Sequence, residues 1–445
     1  MNSFVNIVPV SQNKLLSELS EIYEDNDYLK SAIDKAVGSF LPKNDIEGKR
    51  LLLKPNWVKH PTKAQDNICL CTHPNFILAF VELLIKRNPQ SILIADAPIQ
   101  GCNWSALLTE SFINKIKQIS LSSGIEICIK DFRRVLFSPR TNEIVQEKKN
   151  LDDYIIFDVA EKSYLEDITS DKNLFRVTCY NPDRLAESHH KGVHKYCIAR
   201  DVFKCDTIIT IPKIKTHQKT GLTNSMKILV GINGDKDYLP HHRIGAIESG
   251  GDCYKGKHPF RRMSELLLDE ANRHIGHWAY RPLSFLSTAL WRLSRPTEEQ
   301  NLAAGWYGND TVWRMVMDLN MIAQYGRLDG TLALDTQRTI YTLCDGVIGG
   351  QGNGPLSPDP LSLGIIAFAN DAFAMDEVVG RLFKLNLERI PLLREAKRLN
   401  EKHVIDYYIN GSKAKISDVD NYAVDVVMPP GWINYNKSND ENSNL

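Results

Sequence analysis

Residues that bind anions and move protons are concentrated between Ile208 and Arg243, where the chain reads IITIPKIKTHQKTGLTNSMKILVGINGDKDYLPHHR. Ammonium groups are strong partners for carboxylates and phosphates, and an imidazole can transfer a proton near neutral pH. A structural protein has little use for so much polar chemistry directly after an apolar strand. The stretch therefore predicts a site that takes a small anionic molecule.

Five side chains of this stretch carry the predicted chemistry. Lys213 and Lys215 are expected to bind the anion or a nucleotide-derived cofactor. His217 and Lys227 are expected to be catalytic, because a lysine pressed against apolar neighbours has a lowered pKa and can act as a base or nucleophile. His242 completes the expected catalytic set as a second acid–base position. The alternative is a solvated loop whose lysines extend over the sheet edge.

The histidine pair His241-His242, close to Asp235 and Asp237, predicts a divalent metal site, because imidazole and carboxylate groups bind such ions. Adjacent histidines rarely bind one ion together, so His242 is the expected ligand and His241 the alternative. A second group consists of His189, His190 and His194. Its last two members would share a helix face at i,i+4, which suits either a metal or a plain basic surface.

Polar residues also follow two apolar strands earlier in the chain. Lys54 and Asn56 come at the end of the predicted strand Arg50–Lys54, and Asp96 directly follows Ser91–Ala95. The carboxyl ends of parallel strands meet at one rim of a sheet, so these residues are expected to face the same crevice and to bind the cofactor.

A glycine-rich run follows the predicted strand Ile340–Cys344. Glycines allow backbone N–H groups to approach a ligand closely, so the run is expected to be an anion-binding loop, with a long turn as the alternative. The glycines assigned to cofactor binding are Gly350, Gly352 and Gly354. Neither the dinucleotide fingerprint nor the lysine-terminated phosphate loop is present.

The elements around Pro212 decide whether these side chains meet. The apolar, β-branched run Thr207–Ile211 predicts a buried strand that Pro212 ends. Leu222–Val230 has the apolar spacing of a short helix. Such a helix would fold back against the strand and bring Lys227 into one site with His217.

Strands and helices alternate through much of the remaining chain. This alternation predicts an α/β fold with a mostly parallel central sheet flanked by helices, an inserted antiparallel meander and a helical cap. The predicted segments are an N-terminal helical segment (1–48), an α/β lobe with the lysine and histidine site (49–250), the helical cap (251–330), a second α/β lobe with the glycine-rich loop (331–433) and a mobile tail (434–445).

Composition narrows the classes of function. Lys+Arg and Asp+Glu are both 54, so net charge gives no reason to expect nucleic acid or a membrane surface as a partner. The N-terminus does not resemble a secretory signal, and no apolar run approaches the roughly 20 residues of a membrane span, so a cytoplasmic location is expected. The nine cysteines include no C-x-x-C pair and are expected to be free thiols. The oligomeric state cannot be read from these numbers.

Several motifs resemble the family called domain of unknown function 362. They are Lys54-Pro55-Asn56, Asp96-Ala97-Pro98, Cys205-Asp206, Pro212-Lys213-x-Lys215-Thr216-His217, Lys227 with Gly231, Asp345-Gly346 with Gly352-x-Gly354-Pro355, and Asp371-x-x-Ala374-x-Asp376. The resemblance implies no activity, because the family has no agreed one. Many members carry a ferredoxin-like domain with repeated C-x-x-C motifs, which this sequence lacks.

A second resemblance concerns spacing alone. His217, Lys227 and His242, with His241 as the alternative, are spaced as in the nickel-pincer lactate racemase family. That resemblance implies a lysine that anchors a pincer nucleotide and histidines that shuttle a proton and bind the metal. The sequence departs from that family where the second shuttling histidine is expected, since it has Asp96 there.

These observations predict an enzyme of the isomerase or racemase type, or an oxidoreductase, acting on a small hydroxy acid or sugar acid by proton or hydride transfer. A divalent metal or nucleotide-derived cofactor is compatible with the site. One alternative is a non-catalytic nucleotide- or metal-binding protein, such as a cofactor carrier or assembly factor, which would bind ligand without turnover. The other is a redox protein, for which grouped cysteines are missing.

Overall fold

A large mixed sheet organises the chain in the computed structural model, which describes residues 2–11, 15–138, 143–148, 150–294, 303–401, 403–433 and 435. The described strands are β1 (Ser3–Pro9), β2 (Arg50–Pro55), β3 (Ser91–Asp96), β4 (Glu126–Asp131), β5 (Val135–Phe137), β6 (Ile144–Glu147), β7 (Tyr154–Asp158), β8 (Phe175–Arg176), β9 (His189–His190), β10 (Val193–Ala199), β11 (Thr207–Ile211), β12 (Lys213–His217), β13 (Gly221–Thr223), β14 (His242–Arg243), β15 (Thr339–Asn353), β16 (Ser357–Ala369), β17 (Ile405–Ile409) and β18 (Ser412–Ala414).

Eleven of these strands form the main sheet, in the order β18-β17-β1-β16-β15-β11-β2-β3-β4, with β12 beside β15 and β13 beside β12. From β15 to β4 all neighbours are parallel, whereas β16 is antiparallel to both β1 and β15. The predicted α/β fold with a mostly parallel central sheet is therefore confirmed. The strands of the two predicted lobes lie in this one sheet.

Helices cover both faces of the sheet because its central strands are apolar on both sides. Leu51 and Leu53 of β2 lie in one core cluster with the first four long helices, and Leu52 lies in the cluster on the opposite face. The helices are α1 (Leu16–Glu24), α2 (Asn26–Val37), α3 (Asp66–Cys69), α4 (Pro74–Ile85), α5 (Trp104–Leu107), α6 (Glu110–Ser123), α7 (Pro182–Ser188), α8 (Pro259–Arg273), α9 (Tyr280–Leu293), α10 (Val312–Tyr325), α11 (Ala372–Leu382) and α12 (Pro391–Asn400).

Two segments differ from the elements predicted for them. The N-terminal segment was expected to be helical throughout, but β1 pairs with β16 on one side and with β17 on the other. Its partners lie more than 350 residues away in the sequence, so local patterns do not reveal it. Helix α10, expected in the cap, packs into the second core cluster, whereas α8 and α9 pair with each other. Residue 434 and residues 436–445 of the predicted tail lie outside the described residues.

The expected antiparallel insertion is present as three small antiparallel sheets, β5-β6, β7-β10-β9 and β8-β14. Most of these strands pair with later segments, so they do not form a consecutive meander. His190 and His194, predicted to share a helix face, lie instead on the two strands of a tight hairpin. Gly192 between them has φ +74°, which favours a turn over a helix.

The segment Asp66–Ile85, which spans α3 and α4, is long and apolar enough by composition to cross a membrane. No apolar run of this length was expected from the sequence. The structure buries 61% of its most apolar window, and Phe76, Ile77, Phe80 and Val81 of α4 lie in the first core cluster. These side chains have the environment of a core helix.

Candidate functional site

Pro212 does not end the stranded part of the stretch as predicted, because a further strand, β12, follows it directly. After Pro212, β12 continues beside the second half of β15, with Lys213 opposite Asp345 and Lys215 opposite Gly350. Every residue of β12 is buried. The sequence did not predict β12 as a strand, because lysine and histidine are rare in buried strands.

Gly350 and Gly352 lie in β15 and Gly354 lies in the turn after it, so the predicted anion-binding loop is replaced by a strand and its turn. The N–H of Gly352 donates to the carbonyl of Val427 at 2.6 Å, and the N–H of Gly354 donates to the carbonyl of Gly352 at 2.8 Å. These donors are therefore occupied. The glycines are needed because a Cβ on Gly354 would lie 1.9 Å from the Thr216 carbonyl oxygen, and one on Gly350 would lie 2.8 Å from Lys215 Cβ.

Lys213 forms a buried ion pair and does not carry a free charge. Its Nζ lies 3.0 Å from Asp345 Oδ2 and 2.8 Å from the hydroxyl of Tyr23, which itself donates to Asp345 Oδ1 at 2.5 Å. The backbone N–H of His73 also donates to Asp345. The Asp345 carboxylate thus balances Lys213, and this group joins β12 and β15 to α1 rather than offering a charge to a ligand.

A second buried pair joins the ends of β2 and β3: Lys54 and Asp96, predicted to bind the cofactor from one rim of the sheet, pair with each other instead. Lys54 Nζ lies 2.7 Å from Asp96 Oδ1, and the N–H groups of Trp57 and Ala97 also donate to this carboxylate. Gly231 packs against the pair: a Cβ there would lie 1.9 Å from Asp96 Oδ1 and 2.6 Å from Lys54 Nζ. The pair is therefore held by the segment that follows Lys227.

We predict that Gly231→Ala separates Lys54 from Asp96 and lowers the free energy of unfolding by about 3 kcal/mol, since it leaves buried charges imperfectly paired. Chemical denaturation of the full chain measures this change. Gly38→Ala is the control, because a Cβ at Gly38 meets nothing within 4 Å. Equal stability of the two variants would show that the pair tolerates displacement.

Four further lysines converge on the same region, and we call them the lysine cluster: Lys215, Lys219, Lys227 and Lys236. Lys215 Nζ donates to the carbonyls of Leu70 and Pro355, and Lys236 Nζ donates to that of Ala97. The Nζ of Lys219 is buried without a hydrogen-bond partner. Within the described ranges, no carboxylate forms an ion pair with any of the four. Asp96, Asp235 and Asp252 act on the cluster only from beyond ion-pair distance, so its ammonium groups have no direct counter-charge among the described residues.

The pKa values of the lysine cluster are lowered because burial disfavours the charged form, and for Lys227 neighbouring ammonium groups are the next cause. Burial, with the ammonium groups of Lys215 and Lys236, lowers the pKa of Lys227 to about 7. Burial lowers the pKa values of Lys215, Lys219 and Lys236 to about 8. Lys227 and Lys219 are half-buried, whereas Lys215 and Lys236 are buried.

These shifts predict that the ligand-free protein becomes more stable as the pH rises from about 7 to 8, below the range in which cysteines of the unfolded chain ionise. In this window a lysine of the unfolded chain, with its usual pKa near 10.5, stays protonated, whereas Lys227 of the folded chain releases its proton. The unfolded state then binds more protons, and stability rises with pH. Thermal unfolding at several pH values measures the trend. The rise should be smaller in Lys227→Met, and a melting temperature that falls over this window in the unsubstituted protein would contradict the assignment.

Lys227 lies on a 3-10 helix, Lys227–Ile232, and not on the second turn of an α-helix as predicted. Gly221–Thr223 at the start of the expected helix is a strand paired with β12. Asp376 of α11 fixes the approach to Lys227, because its carboxylate accepts from the N–H groups of Ser225 and Met226. Asp376 is therefore a positioning residue for Lys227.

His217 and His241 present complementary nitrogens to the cluster. Nδ1 of His217 accepts from the N–H groups of Lys219 and Thr220, so the neutral ring carries its proton on Nε2. Nδ1 of His241 lies 2.6 Å from the carbonyl of Leu239 and must donate to it, which leaves Nε2 as an acceptor. Burial and then nearby lysines lower both pKa values well below the usual range. His217 is therefore a donor and His241 an acceptor.

His242 points elsewhere, although it was expected to be the catalytic and metal-binding member of the pair. His242 belongs to β14 and lines a small pocket with Arg176 and Cys253, and Lys219 is the member of the lysine cluster whose charge acts on it. Its Nδ1 is buried without a hydrogen-bond partner. The structure thus places His241, and not His242, with His217.

The described residues do not fit a resident metal. No three His, Cys, Asp or Glu side chains converge on a point at which they could bind an ion, within the part of the chain that the structure describes. The group of His189 and His194 has Glu166 beside it, but its rings bond to each other and to the Tyr238 carbonyl. We therefore derive no step through a metal.

Some site residues could not be identified by sequence reasoning. Lys219 and Lys236 belong to the cluster but fall outside the motifs that singled out the others. Only the high frequency of lysine between His217 and His242 could have indicated them in the sequence. Asn56, which was predicted, has a buried Oδ1 without a hydrogen-bond partner and lies next to β2.

The comparisons with known proteins decide the family. The family described as Domain of unknown function (DUF362) matches residues 149–381, which is more than half of the chain. The chain belongs to this family. The match contains β12, the lysine cluster and Asp376, so the candidate site lies inside the DUF362 region. The similarity of spacing to the lactate racemases is not shown by these comparisons.

Two more distant likenesses were found. A Synechocystis protein described as Thylakoid-associated protein sll1697 is 32% identical over 73 residues, which are 16% of this DUF362 chain and 23% of that protein. A crystal structure of a Thermotoga maritima protein, a structural-genomics target, has a TM-score of 0.35 and 10% identity, over 84% of this chain and 59% of that one. Neither likeness is extensive enough to transfer a function.

Proposed function

We propose that this DUF362 protein is an enzyme that binds a small anionic substrate, a hydroxy acid or sugar acid, in the lysine cluster and moves a proton or hydride there. One observation supports this most: four lysines whose side chains converge without a carboxylate to balance them. Buried charge of one sign is costly when it is unpaired. A bound anion removes that cost, so the cluster favours ligands with carboxylate or phosphate groups.

Lys227 is the proposed proton-transfer residue. Its pKa of about 7 gives comparable amounts of ammonium and free amine near neutral pH, which suits a general base. His217 offers an N–H donor that can hold a substrate oxygen, and His241 offers an acceptor nitrogen. This division of roles assigns the proton transfer to Lys227, whereas the sequence suggested that His217 moves the proton.

Incubation of the protein with single enantiomers of hydroxy acids and sugar acids in D₂O tests this function. Proton transfer places deuterium on the carbon next to the carboxylate, and internal hydride transfer inverts the configuration without deuterium. Mass spectrometry and chiral chromatography distinguish the two. Lys227→Met should show neither change, whereas Lys204→Met, at an exposed lysine outside the cluster, should behave as the unsubstituted protein.

A non-catalytic carrier of a nucleotide or other polyanion is the second candidate, because the same uncompensated lysines support binding without chemistry. It predicts that a nucleotide raises the melting temperature of the protein while none of the acids undergoes exchange or inversion. That combined result would overturn the enzymatic proposal.

A further inference from the structure

The outer face of the hairpin α8–α9 is apolar. Phe285 and Leu293 of α9 are 76% and 66% exposed, and Trp278 just before this helix is 79% exposed. Ser287 and Trp291, on the opposite side of α9, are buried against α8. A surface helix of a globular protein normally turns its apolar side inward. Here a second apolar side faces solvent.

This face is also basic, although the whole chain has no net charge. From His274 to Ser294 the sequence contains no Asp or Glu. Arg281 and Arg292 are exposed on α9, and within the described residues neither forms an ion pair. An open depression of about 790 Å³ runs along α9, lined by both arginines with Phe285, Ala289 and Leu293 among others. The positive charge of this face therefore favours an anionic partner.

We propose that the α8–α9 hairpin binds the surface of a membrane that contains anionic lipids. The apolar side chains of α9 would enter the boundary between headgroups and acyl chains, and the two arginines would bind lipid phosphates. Trp278 has the amphipathic ring that is typical of this boundary. The net charge of the whole chain gave no reason to expect a membrane partner. The absence of acidic residues around α9 does give such a reason.

A second copy of the chain is the competing occupant of this face. Pairing two α9 faces around a two-fold axis would bring four arginines into one apolar interface, with no carboxylate from α9 to balance them. Desolvating unpaired charges is unfavourable. An anionic lipid surface balances the same arginines, so the charge pattern favours lipid.

Sedimentation of the full chain with vesicles tests the proposal, using phosphatidylcholine alone or mixed with phosphatidylglycerol. We expect binding to the mixed vesicles and at least about tenfold weaker binding to phosphatidylcholine. Two double variants, Phe285→Ser with Leu293→Ser and Arg281→Gln with Arg292→Gln, should each lose binding about tenfold or more. Leu334→Ser is the control, because Leu334 is 95% exposed at a distant loop.

Three outcomes would overturn the proposal. Equal binding to both kinds of vesicle would remove the role of the arginines. Retained binding in the Phe285 and Leu293 double variant would place the contact elsewhere. Absence of vesicle binding would also overturn it. If light scattering then shows a dimer that the Phe285 and Leu293 double variant dissociates, the face binds a second copy. If it shows no such dimer, the face has no partner.

Discussion

Replacement of Lys227 by methionine is expected to weaken binding of an anionic ligand about 100-fold or more while leaving the fold intact. Lys227 is one of the two half-buried members of the lysine cluster, with Lys219, and within the described residues it forms no ion pair with a carboxylate. Removing a charge that a ligand desolvates costs several kcal/mol of binding. Isothermal titration with pyrophosphate and with citrate, as probes of the two anion classes, measures the loss.

The stability of Lys227→Met should stay within about 1 kcal/mol of the unsubstituted protein, or exceed it, because the variant removes repulsion from the ligand-free state. His217→Ala should behave similarly, with weaker binding and an intact fold. Lys204→Met, outside the cluster, serves as the matched control for loss of a lysine. If Lys227→Met unfolds while a refolded fraction retains full affinity for the probes, Lys227 is structural and the site lies elsewhere.

The second large effect is expected at Asp345. Asp345→Asn should lower the free energy of unfolding by about 3–5 kcal/mol, because it leaves the ammonium of Lys213 buried without its charge partner. Both side chains are completely buried, so solvent cannot compensate. Urea denaturation followed by circular dichroism measures the loss.

A double variant separates the charge effect from a packing effect. Lys213→Met combined with Asp345→Asn removes the uncompensated charge and should recover most of the stability lost in Asp345→Asn. Tyr23 keeps an acceptor in the double variant. No recovery would mean that Asp345 acts through its bonds to Tyr23 and His73 and not through Lys213.

The parallel strands could be predicted because each is a local apolar run followed by a polar residue. Arg50–Pro55 and Ser91–Asp96 show this pattern, and it correctly placed Lys54 near Asp96. A period of two or a continuous apolar run is contained within the strand itself, so no distant partner is needed to recognise it.

The rest depended on partners far away in the sequence. The sequence did not predict β12 because Asp345, the carboxylate that pairs with the buried Lys213, lies 132 residues later in the chain. The glycines of β15 looked like an anion-binding loop because the close approach of β12, which requires them, is a tertiary contact. The orientation of His241 against His242 likewise follows from the pairing of β14 with β8.

Within the described residues the lysine cluster has no carboxylate at ion-pair distance, and proton uptake on anion binding tests this property most directly. A bound anion stabilises the ammonium forms, so lysines with pKa values of about 7 to 8 must gain protons when the ligand binds. Citrate is fully ionised at pH 8 and releases no proton of its own, so its titration at this pH in two buffers of different ionisation enthalpy measures the protons taken up by the protein. We expect uptake by the unsubstituted protein and less uptake by Lys227→Met. Binding without proton uptake, or no binding of citrate at all, would contradict an anion site in the lysine cluster.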